Sequence, residues 1–241
     1  MSDLPNILTW ANEYPRGHLI GLHAHDYCQL MFARRGAMRV NARGGVWVVP
    51  PGRALWIPAR EPHEVRCRTD VAMRTVYIAD SVPLPFVESF AVLGVSALMR
   101  ELIVRLVEGP VAEGTRPHLL ALLIEELKAG PVMPLNLPEP SDARLARVTV
   151  RLRDDAADRR GLDEWAAEAG MARRSFARRF ALETGLSFGA WRRRLRLLGA
   201  IERLAAGGPV TAVALEAGYD STSAFIHAFR REFGVTPGRY F

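Results

Sequence analysis

Two stretches of the 241-residue chain decide its reading: 169–185, AGMARRSFARRFALETG, and 217–234, AGYDSTSAFIHAFRREFG. Phe176, Phe180 and Gly185 are spaced by four and five residues, and Phe225, Phe229 and Gly234 repeat that spacing 49 residues later. Each set follows Ala-Gly and a large apolar residue, Ala169-Gly170-Met171 and Ala217-Gly218-Tyr219, and the second turn is one residue longer. Helix, glycine-containing turn and helix make a helix-turn-helix pattern. A single copy would be a weak signal, since helical hairpins are common. A duplicate with the same internal spacing is an internal repeat, and it sets the architecture of the last hundred residues.

The second helix of each unit carries the chemistry. Phe176 and Phe180 lie one turn apart and face a core; Arg174 and Arg178, two positions either side of Phe176, lie about 200° away on the opposite face. Arg173 and Ala177 flank them. Apolar anchors on one face and Arg at i, i+4 on the other suit a helix in the major groove, where Arg is bidentate to guanine. Arg179 turns toward the flank and reads as a phosphate contact or a salt bridge. In the second copy Ser223 and His227 stand opposite Phe225 and Phe229, with Thr222 and Ile226 beside them. Ser221 and Thr222 open that helix, where N–H groups and hydroxyls suit phosphate; Ser221 would equally serve as an N-cap. Between the copies, Leu195, Leu198, Ile201 and Leu204 form the stripe of a connecting helix, crowded at one end by Arg192, Arg193, Arg194 and Arg196. Two readers joined rigidly would enter successive major-groove segments about 34 Å apart.

Charge points the same way. Residues 1–140 carry 14 basic and 14 acidic side chains, whereas residues 141–241 carry 18 Arg and 12 acidic ones, so the net charge of +6 belongs to the C-terminal part. A one-sided basic field attracts polyanions, nucleic acid first. Lys128 is the only lysine, and a general bias toward Arg would give the same count. Hydrophobic residues at 49% and charged residues at 24% exclude intrinsic disorder. The most apolar stretch, Val82 to Met99, is broken by Glu88 and two prolines, which excludes a membrane span there. No secretory signal opens the chain. Cys28 and Cys67 are too few for a disulfide scaffold and read as reduced thiols in the cytoplasm.

The N-terminal part has a different period. Residues 18–80 read as short strands punctuated by Gly36, Gly44-Gly45, Pro50-Pro51-Gly52 and Pro58, with Met38 and Val40 alternating against Arg39 and Asn41. Such spacing suggests a small β-barrel or sandwich. Beyond Pro85, Leu98, Leu102 and Leu106, with Ile103 and Val107, and then Leu119, Leu120, Leu123, Ile124 and Leu127, give two antiparallel amphipathic helices that pack on the barrel or make a dimer. Pro131, Pro134, Pro138 and Pro140 read as a stiff linker.

On these residues the chain resembles the AraC/XylS family of transcription regulators. Ala166 to Phe188 resembles the family's first unit; Arg196-Leu197 with Ala200 resembles its linker helix; Ala214, Gly218-Tyr219, Ser221, Phe225, Phe229, Phe233-Gly234, Pro237 and Tyr240 resemble its second. The resemblance implies promoter DNA and RNA polymerase as partners, a homodimer, and activation. It implies base reading by Arg174, Ala177, Arg178, Thr222, Ser223 and His227. Ala177 and His227 depart from the polar and Arg residues expected there, which affects base preference rather than fold.

The N-terminal half resembles a cupin-type sensor. Gly17-x5-His23-x-His25-x3-Gln29-x6-Gly36 is similar to the first cupin motif, with Gln29 in place of Glu, and Gly52-x5-Pro58-x4-His63 to the second, with Arg60 in place of a glycine. In metal cupins these positions supply three His and a carboxylate. Two His one residue apart on a strand share a face, so His23, His25 and His63, with Gln29, form a candidate site for a divalent metal. Met31, Trp47 and Trp56 are candidates for lining an apolar effector pocket.

The expectation is an α+β two-domain chain: a cupin-like sensor barrel at 1–85, a helical dimerisation pair at 86–130, a linker at 131–141 and an all-α domain with two helix-turn-helix units at 142–241. Its function would be that of a cytoplasmic, non-enzymatic, sequence-specific DNA-binding regulator responding to a small ligand or metal. The rival is a cupin metalloenzyme with a basic helical tail.

Overall fold

The computed structural model describes residues 7–79 and 88–241. The boundary expected between 85 and 86 lies outside them. The chain divides into two units, one reaching to Leu135 and the other running from Asn136 to Phe241 and including Gly44–Val46.

The first unit is built from β1 (Ile7–Tyr14), β2 (Leu19–His23), β3 (Cys28–Arg35), β4 (Met38–Ala42), β5 (Gly45–Val49), β6 (Arg53–Ile57), β7 (His63–Cys67), β8 (Val71–Ile78), β9 (Ala91–Gly94), α1 (Ala97–Glu108), α2 (Arg116–Ala129) and β10 (Val132–Met133). The strands form two antiparallel sheets rather than one closed barrel: β1-β8-β3-β6-β9-β10 in the first, and the run β5-β4-β7-β2 in the second. This is a cupin-like sandwich. Glycine shapes the β3–β4 turn. Gly36 has φ +79°, and a Cβ there would meet the Asp70 carbonyl oxygen at 2.0 Å.

Alternation sorts the side chains of the first sheet. Leu30 and Phe32 of β3, Trp56 of β6 and Val76 and Ile78 of β8 turn to one face, where they are buried with Met99, Leu102, Ile103 and Leu106 of α1 and Leu123 and Leu127 of α2. The two helical stripes are therefore spent on the sheet. Leu98, expected on the stripe, points outward at 51% exposure, because Met99 takes the inward position. Arg74 of β8 is buried on this side and ion-paired to Glu108 of α1 and to Glu13, 2.9 Å away. These charge-assisted bonds hold Glu108 below the usual carboxylate range.

The second unit holds β11 (Asn136–Pro138), α3 (Ala143–Asp154), α4 (Leu162–Glu168), α5 (Arg173–Thr184), α6 (Phe188–Ala205), α7 (Val210–Glu216), α8 (Thr222–Phe233) and a closing 3-10 turn, Pro237–Arg239. The stretch expected as a linker thus carries two short strands, β10 and β11. The repeat is two helix-turn-helix units, α4–α5 and α7–α8, joined by α6. Phe176 and Phe180 pack on Phe188 and Trp191, with Phe188 edge-on to both at 5.1 and 5.3 Å. Phe225, Phe229, Phe233 and Tyr240 form the matching cluster. Gly218, at φ +76°, turns the second unit where a Cβ would press on Ala157 at 3.3 Å.

Candidate DNA-reading faces and sensor cavity

The side chain of each reading position follows from its helix. On α5, Phe176 and Phe180 are buried, and Arg174 and Arg178 are exposed opposite them. Neither Arg174 nor Arg178 makes a hydrogen bond or ion pair among the described residues. Ala177 lies between them, half-buried. Arg173, exposed on the same helix, is ion-paired to Asp163 at the start of α4. Arg179 is also engaged. It pairs with Glu183 at 2.9 Å and Asp142 at 3.0 Å. Glu183 in turn accepts from the backbone N–H groups of Ser141 and Asp142, both at 2.8 Å, which ties α5 to the start of α3.

On α8, Ser223 and His227 are exposed and Thr222 is half-buried beside them. Ser221 is the N-cap, its hydroxyl accepting from Ala224 N–H at 3.2 Å, so its oxygen is committed to the helix. The arginines of α6 are mostly struts. Arg192 donates to the carbonyls of Asp158 and Arg160, Arg196 to those of Ala156 and Asp158, and Arg194 pairs with Glu232 of α8 at 2.7 Å. Sequence spacing finds the aromatic anchors; it could not tell the strut arginines of α6 from free ones, because their partners, backbone carbonyls for Arg192 and Arg196 and Glu232 for Arg194, lie 32 to 40 residues away.

Between the two sheets of the first unit lies a cavity of about 460 Å³ lined by β1, β2, β3, β7 and β8. Gln29 and Met31 of β3 face it, as do Thr75 and Tyr77 of β8, their register partners. His23 and His63 close one end. Trp56 does not line it: Trp56 pairs with Leu30, which puts it on the helix-covered face. Trp47 does not either; its ring stacks on Phe90 at 4.5 Å. Trp10, which no motif or spacing singles out, does line it.

The three histidines converge. His23, His25 and His63 each offer a ring nitrogen, all within 4.8 Å of one another. His25 lies beyond the end of β2, so the shared strand face expected for His23 and His25 is not what brings them together; the loop before β3 does. Each ring is fixed from behind. His23 Nδ1 lies 2.8 Å from Gly21 O, His25 Nδ1 2.7 Å from Tyr27 O and His63 Nδ1 2.9 Å from Glu61 O. A carbonyl can only accept, so Nδ1 of His23 and of His63 carries the proton and leaves Nε2 as the donor atom for a ligand, the arrangement that orients metal-binding imidazoles, while His25 is held at both of its ring nitrogens. Gln29 stands at the edge of the set, its Oε1 2.8 Å from His25 Nε2, a contact that an ion on His25 would replace. His63 is fully buried, its Nε2 has no hydrogen-bond partner, and burial pushes its pKa down to about 4, so the ring is neutral at pH 7. The second cupin-like motif is kept in its backbone: Arg60 replaces the glycine yet holds φ +63°.

Residues 11–127 match the AraC-like ligand binding domain family and residues 165–241 the helix-turn-helix domain family. The HTH-type transcriptional regulator NimR of Escherichia coli is 34% identical over 223 residues, covering 91% of this chain and 81% of NimR. The chain belongs to the AraC family of transcriptional regulators. Another relative, the HTH-type transcriptional activator RhaR of Shigella flexneri, is 24% identical, covering 95% of this chain and 89% of RhaR. Among solved structures, the DNA-binding domain of AdpA in complex with a target DNA is 32% identical over 39% of this chain and 86% of that one, with a TM-score of 0.38. This AraC-family chain is thus a DNA-binding transcription regulator with a ligand-binding domain at its N-terminal side. None of its helices, among the described residues, is long and apolar enough to cross a membrane.

Proposed function

We propose that this regulator reads promoter DNA through Arg174, Ala177 and Arg178 on α5 and Thr222, Ser223 and His227 on α8, and that the N-terminal cavity holds its effector. The observation that carries the reading is the pair of unpartnered guanidiniums, Arg174 and Arg178, one turn apart on a helix whose other arginines are ion-paired. A guanidinium left free while its neighbours are bound is available for a bidentate contact to guanine. The match of residues 165–241 to the helix-turn-helix domain family supports this use of the C-terminal unit.

The sensor cavity is proposed to hold a divalent transition metal through His23, His25 and His63, with Gln29 beside them. The set fits such an ion: three imidazoles oriented by backbone carbonyls, one of them with a buried and unpartnered nitrogen. Imidazole suits zinc, copper, nickel or iron. The ion would supply a Lewis-acidic anchor for an effector, and the chain's own residues would position it and exclude water.

The protein is proposed to act in the cytoplasm, without enzymatic turnover, as a homodimer formed through α1 and α2, where Leu98 and Leu122 stay half exposed. Likeness to RhaR, an activator, supports activation through RNA polymerase. The testing experiment is a gel shift of the full chain on the DNA upstream of its own gene and neighbouring genes. A discrete, competitor-resistant complex is expected. Equal binding to unrelated DNA would favour a cupin metalloenzyme with an incidental basic tail.

A further inference from the structure

The described wall of the sensor cavity is polar in places and holds no formally charged side chain. Among the described residues its wall carries Asn12, Tyr14, His23, Gln29, His63, Thr75 and Tyr77, with no Asp, Glu, Lys or Arg. Burial pushes the pKa of Tyr14 and Tyr77 up, so both phenols stay uncharged at neutral pH. The rest is apolar: Trp10, Ile20, Met31, Val65 and Met73. Among the described residues, two buried polar atoms on this wall, His63 Nε2 and Thr75 Oγ1, have no hydrogen-bond partner. A buried hydroxyl without a hydrogen bond carries an unrepaid desolvation cost, so its persistence marks a place where a ligand atom belongs.

Neutral ligands leave a bound ion's full double charge in a space whose described wall holds no opposing charge. An uncompensated charge there is costly. Where a carboxylate at position 29 would have neutralised half of that charge, Gln29 does not.

We propose that the effector is a small organic anion with an apolar body, whose anionic oxygen supplies the charge missing from the site held by His23, His25 and His63. Its body lies on Met31, Val65 and Met73, and the Thr75 hydroxyl donates to one of its oxygens. The proposal rests on the metal reading above and adds the charge class of the effector.

The test uses the full chain loaded with Co(II), whose visible bands report its ligands. Azide probes charge alone, benzoate probes charge with a body, and benzyl alcohol is the neutral counterpart. One Co(II) per chain is expected, with bands shifted by azide and benzoate but not by benzyl alcohol. Benzoate should bind about tenfold or more tighter with Co(II) than without it. Gln29→Glu, which brings the charge from the protein, should retain Co(II) and weaken benzoate about tenfold. Co(II) binding that is absent, or that survives in the His23→Ala/His63→Ala double variant, would overturn the metal reading and this proposal together. Stoichiometric Co(II) with bands unmoved by both anions, and benzoate affinity equal with and without metal, would overturn the anion proposal alone.

Discussion

His23 and His63 are register partners across the β2–β7 pair, their ring centroids 4.3 Å apart, and a β-bulge between Ile20 and His23 is what aligns them. Strand pairing alone would have continued the register from Ile20 and Val65 and set the two rings out of step. The extra residue re-aims His23 at the cavity, a use of bulges common beside functional sites. Together with the loop that carries His25, it concentrates three imidazoles where one lies fully buried and neutral.

That burial predicts a pH dependence. The folded-state pKa of His63 is about 4 against an ordinary 6.5. As pH falls, the unfolded chain takes up the proton first. The stability of the metal-free N-terminal unit is full above pH 6.5 and drains toward pH 4, by about 2–4 kcal/mol. Urea unfolding at half-unit pH steps measures it, and His63→Gln should flatten the slope in that window.

On the DNA side, Arg178→Ala is expected to cost roughly 1–3 kcal/mol of specific binding, concentrated at one base position. Measured affinities on a set of single-base operator variants check this. Uniform weakening on every sequence would mean that Arg178 contacts phosphate.

The second unit has its own aromatic clusters, and Trp191 donates its indole N–H to Pro138 O at 2.7 Å within it. A fragment beginning at residue 136 should therefore fold and bind DNA alone, with affinity falling steeply as salt rises, because neutralised phosphates release counterions. Circular dichroism establishes folding. A folded fragment whose DNA affinity is absent or independent of salt would contradict the assignment.

Glu108→Gln should destabilise the first unit by about 1–3 kcal/mol, since it leaves the buried Arg74 with Glu13 as its remaining ion-pair partner among the described residues. Thermal unfolding at pH 7 measures it, and the difference from the parent should shrink at low pH, where Glu108 itself is protonated.

The DNA-binding half was legible because its signals are local. Phe176, Phe180 and Gly185 and their copies report helix faces and ends within one helix, and the one-residue difference between the turns survives as Ala169–Ala172 against Ala217–Ser221. The sensor was legible in its histidines but not in its walls. Trp56 and Trp47 looked like pocket residues because composition gives no face, and only the register with Leu30 shows that Trp56 turns to the helices. The Arg74–Glu108–Glu13 network joins three distant segments, and no spacing announces it. Arg60 shows the reverse case: the glycine of the motif is gone, yet the left-handed backbone remains, at a cost of about 1–2 kcal/mol that the surrounding fold sustains.

The central claim, that two helices of one unit read a defined DNA sequence, is tested most directly by fluorescence anisotropy of the full chain. The DNA is the segment protected upstream of its gene, compared with a shuffled segment of the same length at physiological salt. The account predicts a preference of about 10³-fold or more for the native segment, lost in the Arg174→Ala/Arg178→Ala variant. Equal affinity for both segments, or a preference untouched by that variant, would contradict it.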